Sequence, residues 1–337
     1  MTTTTRGTGN PPGEEKPPRG LVLATLGALR RNRRPLAVAT GRIVGLTAAT
    51  GLLVTAAVFG CAWPVFTAMR NARIQARLDE DPYSHDPDDL LLVTACALPV
   101  MLILLGAGCA ALQSACSRAV AAGAQQPCTE ADLREAVRAR LLPVLTVYAL
   151  RGLAVWAPPV TALWAAVTLT GPPSTPPYPL RRGTLPAQFV ETSPVLGLLI
   201  AVVLRVFFAL APAAAANGLP PLAALRRSRA LVWSRAGWLR TAAVAAAYGL
   251  LVAGAVRLLA QLALPLRPLV RSAVQDVTGN CFAAYYAGLL APVVVGLVLS
   301  AALCVPVAYT TLATLHSRLA PNTPHPAPTS GTGRANV

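Results

Sequence analysis

The chain has 337 residues, of which 54% are hydrophobic and only 12% charged, whereas soluble domains carry about 25% charged residues. This composition excludes an ordinary soluble domain and predicts an all-α polytopic membrane protein. The net charge of +16 would indicate nucleic-acid binding in a soluble protein, but the arginines here lie between and beside apolar segments. We therefore interpret them as topology determinants and contacts to anionic phospholipid headgroups, and we expect no nucleic-acid partner.

The two ends of the chain differ from its middle. Residues 1–19 and 317–337 are rich in Thr, Pro and Gly, which predicts disordered cytoplasmic tails around a membrane domain over 20–316. Within that domain, six apolar segments are near or above the roughly 20 residues that cross a bilayer. The predicted transmembrane spans are about 43–68, 90–113, 143–170, 194–216, 241–265 and 282–312.

The arginine distribution predicts how these spans are oriented. Basic residues concentrate before span one, between spans two and three, and between spans four and five. The positive-inside rule therefore places both termini and these two loops in the cytoplasm. The expected location is a bacterial plasma membrane.

Three similar segments precede spans one, three and five: ALRRNRRPLAVATG, EADLREAVRARLLPVLTVYALRG and AALRRSRALVWSRAGWLRTAA. They predict three helical hairpins, each preceded by a basic amphipathic helix on the cytoplasmic surface. Thr129 and Asp132 have the spacing of an N-terminal capping pair, and Gly237 is a candidate bend before span five. The third segment supplies candidate interfacial anchors for the headgroup layer: Arg226, Arg227, Arg229, Trp233, Arg235, Trp238 and Arg240.

The segments ALRRNRRPLAVATG, TEADLREAVRARL and LAALRRSRALVWSRAGWLRTAA also carry a family resemblance over about 20–318. The chain resembles six-helix integral membrane proteins of actinobacteria that are similar to the membrane domain beside some glycerophosphodiester phosphodiesterases. The pattern R-S-x-x-L-V-x-S-R-x-G-W-L-R at 227–240 is its strongest part. The family's last span usually ends in a tyrosine and an arginine-rich helix, whereas this chain keeps Tyr309 and Arg318 but loses most of that charge. The resemblance implies the architecture and no catalytic residue, because the phosphodiesterase chemistry belongs to a separate soluble domain.

The sequence offers no pattern typical of a catalytic, cofactor or metal site. The predicted spans contain no Asp or Glu, and no phosphate-binding loop, dinucleotide fingerprint or H-E-x-x-H motif occurs. The seven cysteines form no C-x-x-C pair. We therefore expect a protein that is not an enzyme and has no cofactor. The lack of intramembrane carboxylates also argues against transport coupled to protons or sodium.

Small residues in two spans predict close helix packing. Gly41 and Gly45 form a G-x-x-x-G pair, which we expect to pack within the bundle rather than to mediate dimerisation. The alanine-rich stretch TAAVAAAYGLLVAGA predicts that span five is a tightly packed central helix.

Three arginines lie inside the predicted spans: Arg151, Arg205 and Arg257. Arg205 has about ten apolar residues on each side, which predicts a position near the midplane, where an arginine costs roughly 2.5–3.5 kcal/mol. Arg151 and Arg257 lie closer to a span end and can snorkel to the interface. Two interpretations stay open. Either each arginine bonds helix carbonyls or the span boundaries are shifted, or the arginines form a cationic pocket for an anionic lipid headgroup or substrate.

The leading functional hypothesis is a non-enzymatic membrane scaffold or accessory protein that contacts anionic lipids, with a membrane-protein partner as a further expectation. The alternative is a permease or lipid translocator whose intramembrane arginines line an anionic pathway. A third reading, an intramembrane enzyme, requires the fold to gather Tyr285, Tyr286, Ser300 and His316. A transporter should have a polar cavity that reaches the midplane at Arg205, whereas a scaffold should have Arg205 packed against carbonyls and no cavity there.

Overall fold

The computed structural model describes residues 20–79, 88–122, 128–170 and 185–319. Every regular element in these ranges is a helix, which confirms the predicted all-α fold. The helices are α1 (Leu21–Arg31), α2 (Arg33–Cys61), α3 (Trp63–Leu78), α4 (Asp88–Ala121), α5 (Glu130–Thr170), α6 (Leu185–Phe207), α7 (Ala211–Ala216), α8 (Pro221–Trp233), α9 (Arg235–Leu262), α10 (Leu266–Thr278) and α11 (Cys281–Leu319). Most of the predicted tails at 1–19 and 317–337 lie outside the described residues.

Six helical segments among the described residues are long and apolar enough to cross a membrane, as predicted. They are Arg33–Cys61, Val93–Ala121, Glu130–Ala162, Val195–Ala216, Gly237–Leu262 and Cys281–Leu319. α2 packs against α4, α5 against α6, and α9 against α11, which confirms the three predicted hairpins. The predicted first span, 43–68, is interrupted at Ala62, because Pro64 suits the first turn of a new helix and α3 starts there.

α11 is the helix around which the others assemble, and it packs against α9, α10, α4 and α1. The expectation that span five is a central helix is wrong, since none of the most apolar stretch of α9 is buried inside the bundle. The expected packing of the Gly41–Gly45 pair within the bundle is also wrong. Both glycines are exposed, and a Cβ added to either would meet nothing within 4 Å.

The three predicted basic segments gather at one end of the bundle, which we call the basic end. α1 and α8 are separate helices, whereas the middle segment continues without a break into the long α5. The predicted capping pair of α5 is confirmed: Asp132 Oδ2 accepts from the Thr129 backbone N–H at 2.9 Å, and the Asp132 N–H donates to Thr129 Oγ1 at 3.2 Å.

Asn32 joins two of these segments. It separates α1 from α2 and is only 1% exposed. Its Nδ2 donates to the Ala119 carbonyl at 3.2 Å, and its Oδ1 accepts from the Cys128 N–H at 3.1 Å. The junction between α1 and α2 is thereby tied to the end of α4 and to the residues just before α5.

The opposite end of the bundle carries two helices, α3 and α10: sequence reasoning assigned the start of α3 to span one and the rest of α3 and all of α10 to loops. Neither reaches the length of a span, and α10 has no buried residue. Their arginines lie over aromatic rings, with Arg73 5.8 Å from the Phe282 ring and Arg267 5.9 Å from the Tyr285 ring. This packing gives α3 and α10 a fixed place against the start of α11.

Candidate functional site: an arginine pair at the end of α6

The structure brings two of the three intramembrane arginines together. Arg151, on α5, donates a hydrogen bond from Nη2 to the backbone carbonyl of Arg205 at 3.3 Å. Because the two residues are in contact, they lie at similar depth in the bundle. The sequence-based difference between a midplane Arg205 and an interfacial Arg151 therefore does not hold.

Arg205 lies near a helix end because the fourth predicted span is broken. Pro212 has no N–H for the Phe208 carbonyl, and that carbonyl instead accepts from Ala211 at 3.3 Å. Two residues earlier, the Ala209 N–H donates to the Val206 carbonyl at 3.1 Å. It therefore does not bond the Arg205 carbonyl, as it would in a regular α-helix. α6 ends at Phe207, and Arg205 lies in its last turn.

The break leaves helix carbonyls that need donors from elsewhere. Arg151 supplies one to Arg205, and the Ser228 hydroxyl on α8 donates to the Phe207 carbonyl at 2.7 Å. A cation in the last turn of a helix is also favoured by the partial negative charge of the terminal carbonyls. Arg151 thus bonds a helix carbonyl, as the carbonyl-bonding interpretation expects. The Arg205 side chain is instead exposed on the bundle surface, so the expectation that Arg205 itself is packed does not hold.

Three polar side chains lie near Arg151: Tyr148 on α5, Tyr309 on α11 and Cys109 on α4. Tyr309 is also close to Tyr148 and Cys109. Arg151 is close enough to all three to interact with them electrostatically. Sequence reasoning noted Tyr309 only through the family resemblance and missed Tyr148. The signal for Tyr148 is its place three residues before Arg151, on the same helix face.

The carboxylates on the two helices that carry this arginine pair lie far from it along the chain. The sequence has no Asp or Glu in 90–129, 136–190, 192–275 or 277–337. Glu135 precedes Arg151 on α5 by 16 residues, about 24 Å, and Glu191 precedes Arg205 on α6 by 14 residues, about 21 Å. The arrangement therefore concentrates positive charge beside an apolar surface, with no carboxylate close to it along α5 or α6.

Arg257 does not belong to this pair. It is exposed on α9, near the place where Val256 and Ala260 contact Gly296 of α11. Gly296 is 13 residues before Tyr309, or about 20 Å along α11. The structure thus divides the three predicted residues into a contacting pair and a separate arginine.

The predicted interfacial anchors converge on the same end of α6. The ring of Phe207 lies 5.6 Å from that of Trp233 and 5.2 Å from that of Trp238. Arg229 lies 5.6 Å above the Trp233 ring. Between the two tryptophans, Ser234 caps α9 by accepting from the Gly237 N–H at 3.1 Å.

Gly237 and the remaining anchors occupy different surroundings. A Cβ on Gly237 would collide with the Leu231 carbonyl, so the predicted bend requires a residue without a side chain. Arg226 and Arg240 are exposed, whereas Arg227 is partly buried near His316. The side chain of Arg235 lies outside what the structure describes.

The residues of the intramembrane-enzyme reading do not come together. Tyr285 and Tyr286 lie near the start of α11 and His316 near its end, so about 30 residues and roughly 45 Å of helix separate them. Among the described residues, no group of three or more His, Cys, Asp or Glu side chains is placed to hold a metal ion. Comparison with protein-family models, curated proteins and solved structures finds no match to this chain.

Proposed function

We propose that the chain is a non-enzymatic integral membrane accessory protein that binds an anionic phospholipid at Arg205. The observation that supports this proposal most directly is the exposed Arg205 side chain beside Arg151, with no acid on α5 or α6 within 13 residues of either arginine. A lipid phosphate is the counter-charge available to a cation on such a surface. Guanidinium groups bind phosphate oxygens through paired, charge-assisted hydrogen bonds.

The depth of the pair fits a headgroup better than a midplane substrate. α8 reaches the last carbonyl of α6 through Ser228, and Trp233 and Trp238 meet at Phe207, two residues after Arg205. Tryptophan favours the interfacial layer of a bilayer. With the basic end in the cytoplasm, as the positive-inside rule predicts, the bound lipid belongs to the cytoplasmic leaflet of the bacterial plasma membrane.

The alternative, a permease or lipid translocator, would need the arginines to line a path. Arg151 instead bonds the backbone carbonyl of Arg205, and Arg257 lies apart from this pair on α9. We therefore prefer the accessory role to translocation. The family resemblance stays a prediction. A membrane-protein partner also stays a prediction, and we expect this chain to position that partner in the membrane.

The test is native mass spectrometry of the full chain in nanodiscs that contain phosphatidylglycerol and phosphatidylethanolamine. Arg205→Leu should lose the retained anionic lipid, whereas Arg257→Leu, another exposed arginine on a membrane helix, should keep it. Equal phosphatidylglycerol retention by wild type and Arg205→Leu would contradict the proposal. In proteoliposomes, lipid flux that depends on Arg205 would instead support the translocator.

A further inference from the structure

A separate cavity lies at the basic end, between α1, α9 and α11. It has a volume of 710 Å³ and is lined by two arginines and five apolar residues: Leu21, Arg240, Ala243, Val244, Leu315, Arg318 and Leu319. This volume is within the range of roughly 300–1,000 Å³ that is typical of small-molecule sites. Sequence reasoning assigned Arg240 to the interface but predicted no cavity there.

The lining of the cavity indicates an amphiphilic ligand. Arg240 comes from α9 and Arg318 from α11, so the cationic groups stand on two different helices. None of the lining residues that the structure describes is acidic, and the five besides the arginines are apolar. A ligand with an anionic group and a hydrocarbon portion would match both the guanidiniums and the apolar wall.

The surroundings favour a lipid over a water-soluble amphiphile or a peptide. Val244 lies on α9, whose most apolar stretch is unburied within the bundle and faces the bilayer if α9 spans it. α1, the third wall, exposes Val22 (68%), Leu23 (64%) and Leu26 (53%), which are side chains suited to an interfacial helix. The cavity is therefore bordered by surfaces that membrane lipid covers.

The cavity and the Arg205 surface lie on two sides of one apolar cluster. Leu210, Val232 and Leu315 form its buried centre. Leu21, Val244 and Leu319 pack on it from the cavity, and Phe207 and Trp238 pack on it from the end of α6. The two cationic sites are thus neighbours with separate arginines, which makes them separable by mutation.

We infer that this cavity is a second lipid site, which takes an acyl chain of an anionic phospholipid and holds its phosphate between Arg240 and Arg318. The inference rests on the proposed function, in which the chain binds anionic phospholipid. It goes further by naming a second binding site and the part of the lipid that each wall of this site contacts. α1 closes the site on one side, and Asn32 fixes the position of α1 through its contacts with Ala119 and Cys128.

The test uses the full chain in nanodiscs with a trace of phosphatidylglycerol that carries a diazirine on its acyl chain. After irradiation, peptide mapping should find the lipid on the α9 and α11 segments around Val244 and Leu315. Arg240→Gln with Arg318→Gln should lower this crosslinking about tenfold, as expected for the loss of two charge-assisted contacts. Arg34→Gln with Arg138→Gln removes two exposed basic-end arginines outside the cavity and should leave it unchanged.

A second variant tests the cavity without changing its charge. Ala243 is exposed at the lining, so Ala243→Trp should fill the space and block crosslinking without disturbing buried packing. Equal crosslinking by phosphatidylcholine, or unchanged crosslinking in both the double-glutamine and Ala243→Trp variants, would overturn the inference. A co-purified peptide mapped to these walls in place of lipid would also overturn it. Arg205→Leu should keep the cavity crosslink, so failure of this site and failure of the Arg205 site can be told apart.

Discussion

The Ser228 hydroxyl donates a 2.7 Å hydrogen bond to the backbone carbonyl of Phe207, the last residue of α6. The bond joins the basic helix α8 to a membrane helix whose own hydrogen-bond ladder is interrupted by the turn before Pro212. Arg151 makes the corresponding bond to Arg205 two residues earlier. Side chains from two other helices therefore stabilise the end of α6 and fix the position of the arginine pair.

Ser228→Ala should destabilise the protein by about 1–3 kcal/mol, because Ser228 is 0% exposed and its loss leaves a partly buried carbonyl without this donor. The control is Ser272→Ala on α10. The exposed Ser272 hydroxyl donates to the Leu269 carbonyl at 3.0 Å, and its removal should change stability by less than about 0.5 kcal/mol. Unfolding in mixed detergent micelles measures both. Equal stability of the two variants would show that the bond to Phe207 contributes nothing.

Asn32→Ala should loosen the basic end and expose Cys128. Burial raises the pKa of the Cys128 thiol above its ordinary value of 9.0, with smaller effects from Arg118, which lowers it, and Asp132, which raises it. Since the thiolate is the reactive form, alkylation of native Cys128 should be slower at pH 7–8 than that of an exposed cysteine, and its rate should level off at a higher pH. In Asn32→Ala the alkylation rate should increase and its pH midpoint should shift down.

The matched control for this experiment is Asn280→Ala at the opposite end of the bundle. Asn280 is also 1% exposed, and its Oδ1 accepts from the N–H groups of Phe282 and Ala283 at the start of α11. This change should leave Cys128 alkylation as in wild type. Peptide mass spectrometry quantifies the modified Cys128. Native Cys128 that reacts as fast as in unfolded protein would refute its burial beside Asn32.

The features that sequence reasoning predicted correctly are local. Apolar length alone identifies the six spans, and the three-residue spacing of Thr129 and Asp132 identifies the α5 cap. The contact between Arg151 and Arg205 joins residues 54 apart and depends on how α5 meets α6. No pattern within one segment contains that information.

The break after α6 has a local sequence signal, Pro212, but whether a proline ends a helix depends on the tertiary structure around it. Prolines occur inside α4, α5 and α11 without ending these helices. Before Pro212, by contrast, the Ala209 and Ala211 N–H groups bond carbonyls three residues back, and α6 ends. The difference is that Arg151 and Ser228 are placed to satisfy the freed carbonyls around 205–207. α10 and the second part of α3 were missed for another reason, since short amphipathic helices at a membrane surface resemble polar loops in composition.

The predicted orientation leads to a reporter experiment. Alkaline phosphatase fused after the full chain should be inactive in a bacterial host, and green fluorescent protein at the same place should fluoresce, because the positive-inside rule puts the basic end in the cytoplasm. Fusion after Gly279, between α10 and α11, reports the opposite end and should give active phosphatase. The reverse pattern at both positions would invert the topology and place the Arg205 lipid in the outer leaflet.

Close packing of α9 on α11 gives a prediction at Gly296. A Cβ there would lie 2.9 Å from both the Ala260 backbone nitrogen and the Val256 carbonyl oxygen, and backbone atoms cannot move aside without separating the helices. Gly296→Ala should therefore cost about 1–3 kcal/mol, as overpacking does elsewhere. Gly249→Ala on α9 is the control, since its Cβ would meet nothing within 4 Å and alanine favours the helix by up to about 1 kcal/mol. Detergent unfolding should thus rank Gly249→Ala at or above wild type and Gly296→Ala below it, and the opposite order would contradict this packing of α9 on α11.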